Sequence, residues 1–273
     1  MPTGETSGGH VVADPTQYSG GNVEWSPAFL GNFLNLGYWV DAPRTGPLTA
    51  ADRIKASENL YRLVARALPV HPDDRLLEVG CGRGAGTHVV YTEFGPAELV
   101  ATDVLRAQVS LAEEHNKDLL EKAGGQLGFA VGSATDMPFP DGRFDGLYSV
   151  EAIEHVADVG AFAAESARVL RAGGRLSVTT FFARSVEAGP KLAELIPTFA
   201  AGHDKATTTD EVRAALEGAG FADIVMQSIG EHVWQRFDDW LGLNGYDDHW
   251  ARNCLKAYTA GLYDYYAISA TRA

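Results

Sequence analysis

From residue 75 onward the sequence alternates short apolar runs with longer amphipathic stretches, and this alternation constrains the fold more than any other feature. Apolar runs typical of buried strands occupy residues 76–79, 99–102, 129–131, 144–150 and 176–182. Helical spacing is found at 84–93, 105–122 and 158–171. Because strands that alternate with helices pair in parallel, the sequence predicts an α/β protein whose sheet is covered on both faces. A further helix over 209–218 and strands over 221–227 and 265–271 complete the pattern.

The first strand ends in a glycine-rich turn, residues 80–86, after which a helix begins. Gly80, Gly82 and Ala85 match the dinucleotide-binding pattern, so a nicotinamide-dependent oxidoreductase is one interpretation. Glu78 argues against it, because a carboxylate two residues before the first glycine repels a pyrophosphate and favours a cationic ligand. Asp103 closes the second strand, where a carboxylate can accept both hydroxyls of a ribose. A ligand with a ribose, a positive charge and no phosphate describes S-adenosylmethionine.

Four motifs in order resemble those of class I S-adenosylmethionine-dependent methyltransferases. They are Glu78–Gly84, Thr102–Asp103, Gly132–Phe139 with Phe144–Asp145, and Arg168–Leu176. The resemblance covers about residues 72–228. It implies a Rossmann-like, seven-stranded, mostly parallel sheet with helices on both faces, an antiparallel last strand and a helical cap. It also implies S-adenosyl-L-methionine as the cofactor and S-adenosyl-L-homocysteine as its product.

The same resemblance implies which residues bind the cofactor. They are Tyr38, Glu78, Gly80, Cys81, Gly82, Asp103, Val104, Gln108, Ser133, Ala134, Thr135, Asp136 and Glu151. The family usually has an aspartate where this chain has Ser133, so Asp136 or nearby backbone groups are expected to contact the adenine. Asn35–Trp39 and Gln108 resemble a narrower group, the bacterial natural-product methyltransferases that act on sugars, polyketides and terpenoids. In that group an aromatic pair near Tyr38 covers the methionine end of the cofactor.

Glu154 and His155 follow the fourth strand at its carboxyl end, where ligands bind in open α/β sheets. A side chain there can take a proton from a hydroxyl group. We therefore predict Glu154 and His155 as catalytic residues and weigh His203 as a weaker candidate. The alternative is that one of the pair only caps the helix that follows.

All five tryptophans lie outside residues 72–228, which carry the four motifs, at Trp25, Trp39, Trp234, Trp240 and Trp250. Together with tyrosines and phenylalanines near the end of the chain, they predict an apolar pocket for a large, mostly uncharged substrate. The predicted substrate contacts are Trp39, Phe181, Trp234 and Phe237. The alternative is that these aromatics form buried helix stripes, as the spacing of Val233, Phe237 and Trp240 allows.

Composition divides the chain into five predicted segments. They are a flexible arm (1–24), an N-terminal helical cap (25–71), a cofactor-binding core (72–228), an aromatic insertion that caps the substrate (229–262) and a final strand (263–273). The net charge of −14 disfavours nucleic acid and anionic membranes as partners. No apolar run is long enough to span a membrane. With two cysteines and no signal-peptide pattern, we expect a cytoplasmic protein without a metal site. We also expect the arm to contact a second copy of the chain in a homo-oligomer.

These features predict a methyltransferase that acts on an O or C atom of a hydrophobic natural product, such as a terpenoid, a polyketide or a glycoside. The alternative is a protein of the same fold that binds the cofactor but catalyses a cyclisation or an isomerisation without methyl transfer.

Overall fold

The computed structural model describes residues 29–273. The predicted arm, Trp25 and the expected oligomer contact lie outside these residues. From Phe29 to Thr49 the chain runs through turns, bends and irregular backbone, and the first helix begins at Ala50. In its described part, the predicted N-terminal cap is therefore helical only from Ala50 onward.

Strands and helices follow one another along most of the described chain. The strands are β1 (Arg75–Val79), β2 (Glu98–Asp103), β3 (Leu127–Val131), β4 (Phe144–Val150), β5 (Leu170–Ala183), β6 (Phe221–Ser228) and β7 (Tyr263–Arg272). The helices are α1 (Ala50–Ala67), α2 (Ala85–Phe94), α3 (Arg106–His115), α4 (Lys117–Ala123), α5 (Val159–Val169), α6 (Ala188–Leu195), α7 (Pro197–Ala200), α8 (Thr209–Gly218), α9 (Trp234–Leu243) and α10 (Asn253–Thr259). Short 3₁₀ turns lie at Ile153–His155, Gly230–His232 and Trp250–Arg252.

The strands form one sheet in the order β3-β2-β1-β4-β5-β7-β6. Strands β1 to β5 pair in parallel, and β7 is antiparallel to both β5 and β6. The predicted seven-stranded, mostly parallel sheet with an antiparallel last strand is therefore confirmed. The strand order reverses between β1 and β4, so a crevice opens at the carboxyl ends of these two central strands, where ligands bind in such sheets.

Helix α1 is part of the layer that covers the sheet, beside α2. A capping box between Thr49 and Asp52 begins the helix. Its apolar face, with Leu60 and Val64 fully buried, packs in the largest core cluster. The ring of Tyr61 lies so close to α2 that a β-carbon at Gly86 would be only 1.8 Å from it. Glycine is therefore required at position 86 for the two helices to meet.

The predicted helical stretch over 105–122 is confirmed, but the structure divides it at Asn116 into two helices, α3 and α4. The buried Asn116 side chain donates to the carbonyl oxygens of Gly84, at 3.2 Å, and Ala112, at 2.9 Å. The junction is thus anchored to the glycine turn after β1. Helical periodicity along the sequence does not reveal such a contact.

The predicted insertion, residues 229–262, contains α9 and α10 and packs against the segment before α1. Trp39, Phe237 and Trp240 share one buried cluster, and the Trp39 backbone N–H donates to the His232 carbonyl at 2.9 Å. The two parts that flank the core in sequence thus meet each other in space. Within residues 29–273, no helix is long and apolar enough to cross a membrane.

Candidate active site

The glycine turn after β1 lies at the crevice and is held by its neighbours on both sides. The backbone N–H groups of Gly80 and Cys81 both donate to the Thr102 carbonyl at 2.8 Å. Gly80 has a φ of +82°, and a β-carbon there would lie 2.2 Å from the β-carbon of Ala152. Only glycine permits this backbone and this approach. The turn is therefore fixed between the end of β2 and the segment after β4.

Glu78, beneath this turn, is fully buried. Its Oε2 accepts hydrogen bonds from Thr87 Oγ1 at 2.6 Å and from Tyr148 Oη at 2.9 Å. Its Oε1 is buried and has no hydrogen-bond partner among the described residues. Burial raises the pKa of Glu78 to about 7, against the two hydrogen bonds. A buried carboxylate oxygen without a donor fits a cationic ligand, such as the ammonium group of an amino acid.

Asp103 lies across the turn at the end of β2. Its Oδ2 accepts from the Gly82 backbone N–H at 3.0 Å and its Oδ1 from the Leu105 N–H at 2.9 Å. Burial raises the pKa of Asp103, and this effect outweighs the two hydrogen bonds and the positive charge of His155, which lower the pKa. Each oxygen keeps a second lone pair, so the carboxylate can still accept both hydroxyls of a ribose.

Two further predicted cofactor residues follow Asp103. The side chain of Val104 is 64% exposed, which is unusual for a large apolar residue beside a buried strand end. The Oε1 atom of Gln108 is buried and has no hydrogen-bond partner among the described residues. An exposed apolar surface and an unsatisfied acceptor at one edge of the sheet suit a ligand with an apolar ring and hydrogen-bond donors.

The loop after β3 borders the same edge, because the Gly132 N–H donates to the Asp103 carbonyl at 3.1 Å. Ser133 Oγ accepts from the Thr135 N–H at 3.2 Å and contacts Thr135 Oγ1 at 3.1 Å. The Asp136 side chain is exposed. The Ser133 hydroxyl thus stabilises its own loop, and the predicted contacts of Ser133 and Asp136 with the cofactor stay predictions.

Glu154 and His155 lie on the other side of the crevice, with a third residue that the sequence did not single out. Glu154 is buried, and its Oε2 accepts from Thr180 Oγ1 at 2.6 Å. The His155 ring stands between two carboxylates, with Nε2 3.6 Å from Glu154 Oε1 and Nδ1 3.1 Å from Asp204 Oδ1. Asp204 is buried, whereas the His155 side chain is 46% exposed. The imidazole therefore faces solvent while its partners are fixed in the protein.

The charges around His155 decide its protonation. Burial lowers the pKa of His155, but the Glu154 and Asp204 carboxylates more than offset this and raise the pKa to about 9. Burial raises the pKa of Glu154. The alternative that this pair caps the next helix is wrong, because Asp158 caps α5 by accepting from the Ala161 N–H at 2.9 Å.

Glu151, at the end of β4, joins three parts of the chain. Its Oε1 accepts from the Leu36 backbone N–H at 2.7 Å and from Tyr265 Oη at 2.8 Å. Its φ of +47° places the side chain between these groups. Burial and the nearby Glu154 raise its pKa to about 8. Glu151 thus holds the N-terminal segment over the crevice, and its predicted direct contact with the cofactor stays a prediction.

The N-terminal segment reaches the glycine turn through Leu34, because a β-carbon at Gly82 would lie 3.0 Å from Leu34 Cδ1. Tyr38 instead lies edge-on to His232, with 5.5 Å between ring centroids, and lines a groove of about 620 Å³ along α1. Within the N-terminal segment, Leu34 therefore lies beside the glycine turn. The covering role of Tyr38 stays a prediction.

Three of the four predicted substrate contacts pack within the protein. Trp39 and Phe237 surround the buried Arg53 guanidinium, with ring centroids 5.6 Å and 5.8 Å from its Cζ. Trp234 is 1% exposed, and its ring centroid lies 4.6 Å from that of Tyr263. The alternative of a buried helix stripe describes Trp234 and Phe237 of α9, and Trp39 is buried beside Phe237 from the non-helical segment before α1. Phe181, 6.1 Å from Trp234, is only partly buried.

Comparison with known proteins agrees with the geometry of the crevice. Residues 77–178 match the family model described as a methyltransferase domain. The chain is 30% identical over 211 residues to the 27-O-demethylrifamycin SV methyltransferase of Amycolatopsis mediterranei. The aligned region covers 74% of this chain and 71% of that protein. The chain belongs to the methyltransferase family. It is an S-adenosylmethionine-dependent methyltransferase of class I.

Solved structures show the same fold at low sequence identity. The geranyl diphosphate C-methyltransferase of Streptomyces coelicolor, in complex with S-adenosyl-L-homocysteine, has a TM-score of 0.77 at 17% identity over 96% of this chain and 99% of that chain. The [4+2]-cyclase SpnF has a TM-score of 0.67 at 21% identity over 88% and 87% of the two chains. At sequence identities of 17% and 21%, the likeness to these two structures concerns the fold alone.

The residues present fit S-adenosylmethionine. The unpartnered Glu78 Oε1 suits the ammonium group, the Asp103 carboxylate suits the ribose, and the exposed Val104 suits one face of the adenine. The buried, unpartnered Gln108 Oε1 supplies a further acceptor. The individual contacts remain predictions, whereas the chemistry of this donor and acceptor set matches the cofactor.

Proposed function

We propose that this methyltransferase acts on a hydroxyl oxygen of a hydrophobic small molecule of natural-product type, and that His155 accepts the hydroxyl proton. The observation that carries the proposal is the arrangement of His155 between Glu154 Oε1 and Asp204 Oδ1 at the carboxyl edge of the sheet. The relative from Amycolatopsis mediterranei, by its name an O-methyltransferase of a rifamycin, supports the class of acceptor.

When bound, S-adenosylmethionine would supply an electrophilic methyl group, whose carbon is activated by the positively charged sulfur. The chain itself aligns the acceptor and removes its proton. Neutral His155 takes the proton, and the imidazolium that results is stabilised by the carboxylates of Glu154 and Asp204. A positioned base of this kind contributes about 10²–10⁴ in rate, and alignment contributes up to about 7–11 kcal/mol.

An apolar acceptor is supported by the aromatic residues behind Glu151. Tyr265, whose hydroxyl donates to Glu151, pairs in register with Phe181, and their ring centroids lie 6.5 Å apart. Phe181 also packs near Trp234, at 6.1 Å. The partly exposed Phe181 is thus the edge of an aromatic cluster that adjoins the crevice, where an apolar ring system finds a dry surface.

The test uses methyl-labelled S-adenosylmethionine with a panel of hydrophobic hydroxyl compounds, and with the precursor that accumulates in cells lacking this enzyme. We expect label on an oxygen of the product and a precursor lighter by one methylene. Label on carbon would refute the hydroxyl acceptor. Conversion of the precursor without label would replace methyl transfer by the cyclisation or isomerisation that the sequence left open.

His155→Gln tests the base directly. It is expected to lower the single-turnover rate by about 10²–10⁴ at saturating cofactor, because the proton acceptor is lost. Affinity for S-adenosyl-L-homocysteine should change little. An unchanged single-turnover rate would show that His155 takes no proton in the reaction.

A further inference from the structure

A second cluster of charged residues holds the loop between β3 and β4. We propose that Arg168 and Glu165 of α5 form a clamp that sets the shape of residues 132–141, and with it the affinity and the purine selectivity of the cofactor site. Arg168 and Glu165 are positioning residues, since neither is placed against the cofactor. The inference rests on the proposed placement of the adenine at residues 133–136.

The clamp is built from a paired guanidinium and carboxylate. Arg168 Nε and Nη2 each lie 2.7 Å from an oxygen of Glu165. Arg168 Nη2 also donates to the Met137 carbonyl at 2.9 Å, and Nη1 donates to the Phe139 carbonyl at 2.7 Å and to Asp141 Oδ1 at 2.9 Å. One planar guanidinium therefore bridges a helix and three consecutive parts of the loop, which a lysine ammonium cannot do with the same geometry.

Glu165 completes the clamp from the other side. Its Oε2 accepts from the Met137 backbone N–H at 2.7 Å. Both polar backbone groups of Met137 are thus bound by the Glu165–Arg168 pair. Hydrogen bonding to Arg168 lowers the pKa of Glu165, so the carboxylate stays charged at neutral pH.

The clamped residue adjoins the part of the loop that faces the crevice. Met137 directly follows Asp136, which forms an isolated bridge with Ser133. A β-carbon at Gly132 would lie 2.8 Å from Pro138 Cδ, so the first part of the loop packs against the clamped part. The Gly132 N–H in turn donates to the Asp103 carbonyl. A shift at Met137 therefore moves the backbone groups expected to contact the adenine.

The position of the loop explains why its shape matters to the ligand. Asp103 and the 64% exposed Val104 lie beside it at the end of β2. A ribose held by Asp103 leaves its base between Val104 and residues 133–136. The loop can select adenine through contacts with the edge of the purine only if these backbone groups are held in one arrangement. The Arg168–Glu165 clamp holds them in that arrangement.

The experiment compares Arg168→Gln and Arg168→Lys with Arg62→Gln. Arg62 is the matched control, because its Nε and Nη2 pair with the two oxygens of Glu93 at 2.8 Å and 2.7 Å, away from the loop. Calorimetry gives the Kd of S-adenosyl-L-homocysteine and of S-inosyl-L-homocysteine, in which a carbonyl replaces the adenine amino group. No acceptor is present, so failure of the proposed hydroxyl chemistry leaves this test unaffected.

We expect Arg168→Gln to weaken S-adenosyl-L-homocysteine binding by about 10-fold or more and to reduce the preference over the inosine compound. Arg168→Lys should restore part of both, and Arg62→Gln should change neither. Equal losses of affinity for both compounds, or a Kd equal to that of Arg62→Gln, would overturn the proposal. If Arg168→Gln does not fold, Glu165→Gln is the second variant, with the same expected loss of preference and the same refuting result.

Discussion

The substitution Asp204→Asn tests how the structure tunes His155. It removes the negative charge that lies 3.1 Å from His155 Nδ1, while the shape and a hydrogen-bond acceptor remain. Because the Asp204 carboxylate favours the imidazolium, its loss lowers the pKa of His155. A larger share of the enzyme then has neutral His155 at pH 7.

The size of the effect follows from the two carboxylates. They raise the pKa of His155 from its ordinary value of 6.5 to about 9. Removal of one close opposite charge lowers a pKa by about one unit or more, so the substituted enzyme should titrate near 8 or below. At pH 7 the neutral fraction would then increase from about 1% to about 10%. At high pH the rate of the substituted enzyme falls, because the base is weaker and the ring is less well oriented. The loss should not exceed the factor of about 10²–10⁴ that such a base contributes.

The assay is the single-turnover rate of methyl transfer, measured from pH 6 to pH 10 with the cofactor saturating. For the unsubstituted enzyme we expect the rate to rise with pH through a midpoint near 9, since the neutral imidazole is the active form. Asp204→Asn should move the midpoint down by about one pH unit and lower the plateau. The control is Asp239→Asn, which removes an equal charge paired with Arg236. An unchanged midpoint for Asp204→Asn would refute the role assigned to Asp204.

Three further predictions concern the cofactor crevice. Glu78→Gln should raise the thermal stability of the cofactor-free protein at pH 8 and weaken cofactor binding. The folded-state pKa of about 7 lies above the ordinary 4.5, so ionisation costs folding about 3 kcal/mol above pH 7; a lower melting temperature would contradict this. Asp103→Asn should weaken S-adenosyl-L-homocysteine binding by about 10-fold or more in calorimetry, since one charge-assisted acceptor is lost, and an unchanged Kd would remove Asp103 from the site. Tyr265→Phe should speed dissociation of S-adenosyl-L-homocysteine in stopped-flow measurements. Glu151 accepts from the Tyr265 hydroxyl of β7 and from the Leu36 N–H, and the substitution removes the first of these donors, which links β7 to the Leu36 segment. Equal dissociation rates would show that this link does not restrain the segment.

Much of the cofactor side could be predicted from the sequence because its signals are local. The glycine turn, the carboxylate two residues before it and the acidic residue at the end of β2 lie next to strand ends that short apolar runs already mark. Parallel pairing then brings those ends together, as the register of Val79 with Thr102 shows. Glu78 and Asp103 therefore meet the same crevice without any further information.

The acceptor side depends on contacts between distant parts of the chain. His203 was considered from the sequence, and its backbone carbonyl lies 3.4 Å from His155 Nδ1, but the negative charge beside the ring belongs to its neighbour Asp204. Aspartates at loop positions are common, so nothing in the sequence distinguished this one. The same holds for Leu36 and Tyr265, which converge on Glu151 from opposite ends of the chain.

The sequence by itself determined the order of strands and helices, the cofactor and the family, because periodicity, glycine turns and motif spacing are properties of neighbouring residues. Only the tertiary structure decided which aromatic rings are buried, which carboxylates set the pKa of His155 and which arginine holds the loop after β3. Burial and charge pairing depend on what lies opposite a side chain in space. For Trp234, His155 and Arg168, the groups opposite belong to other elements of the fold.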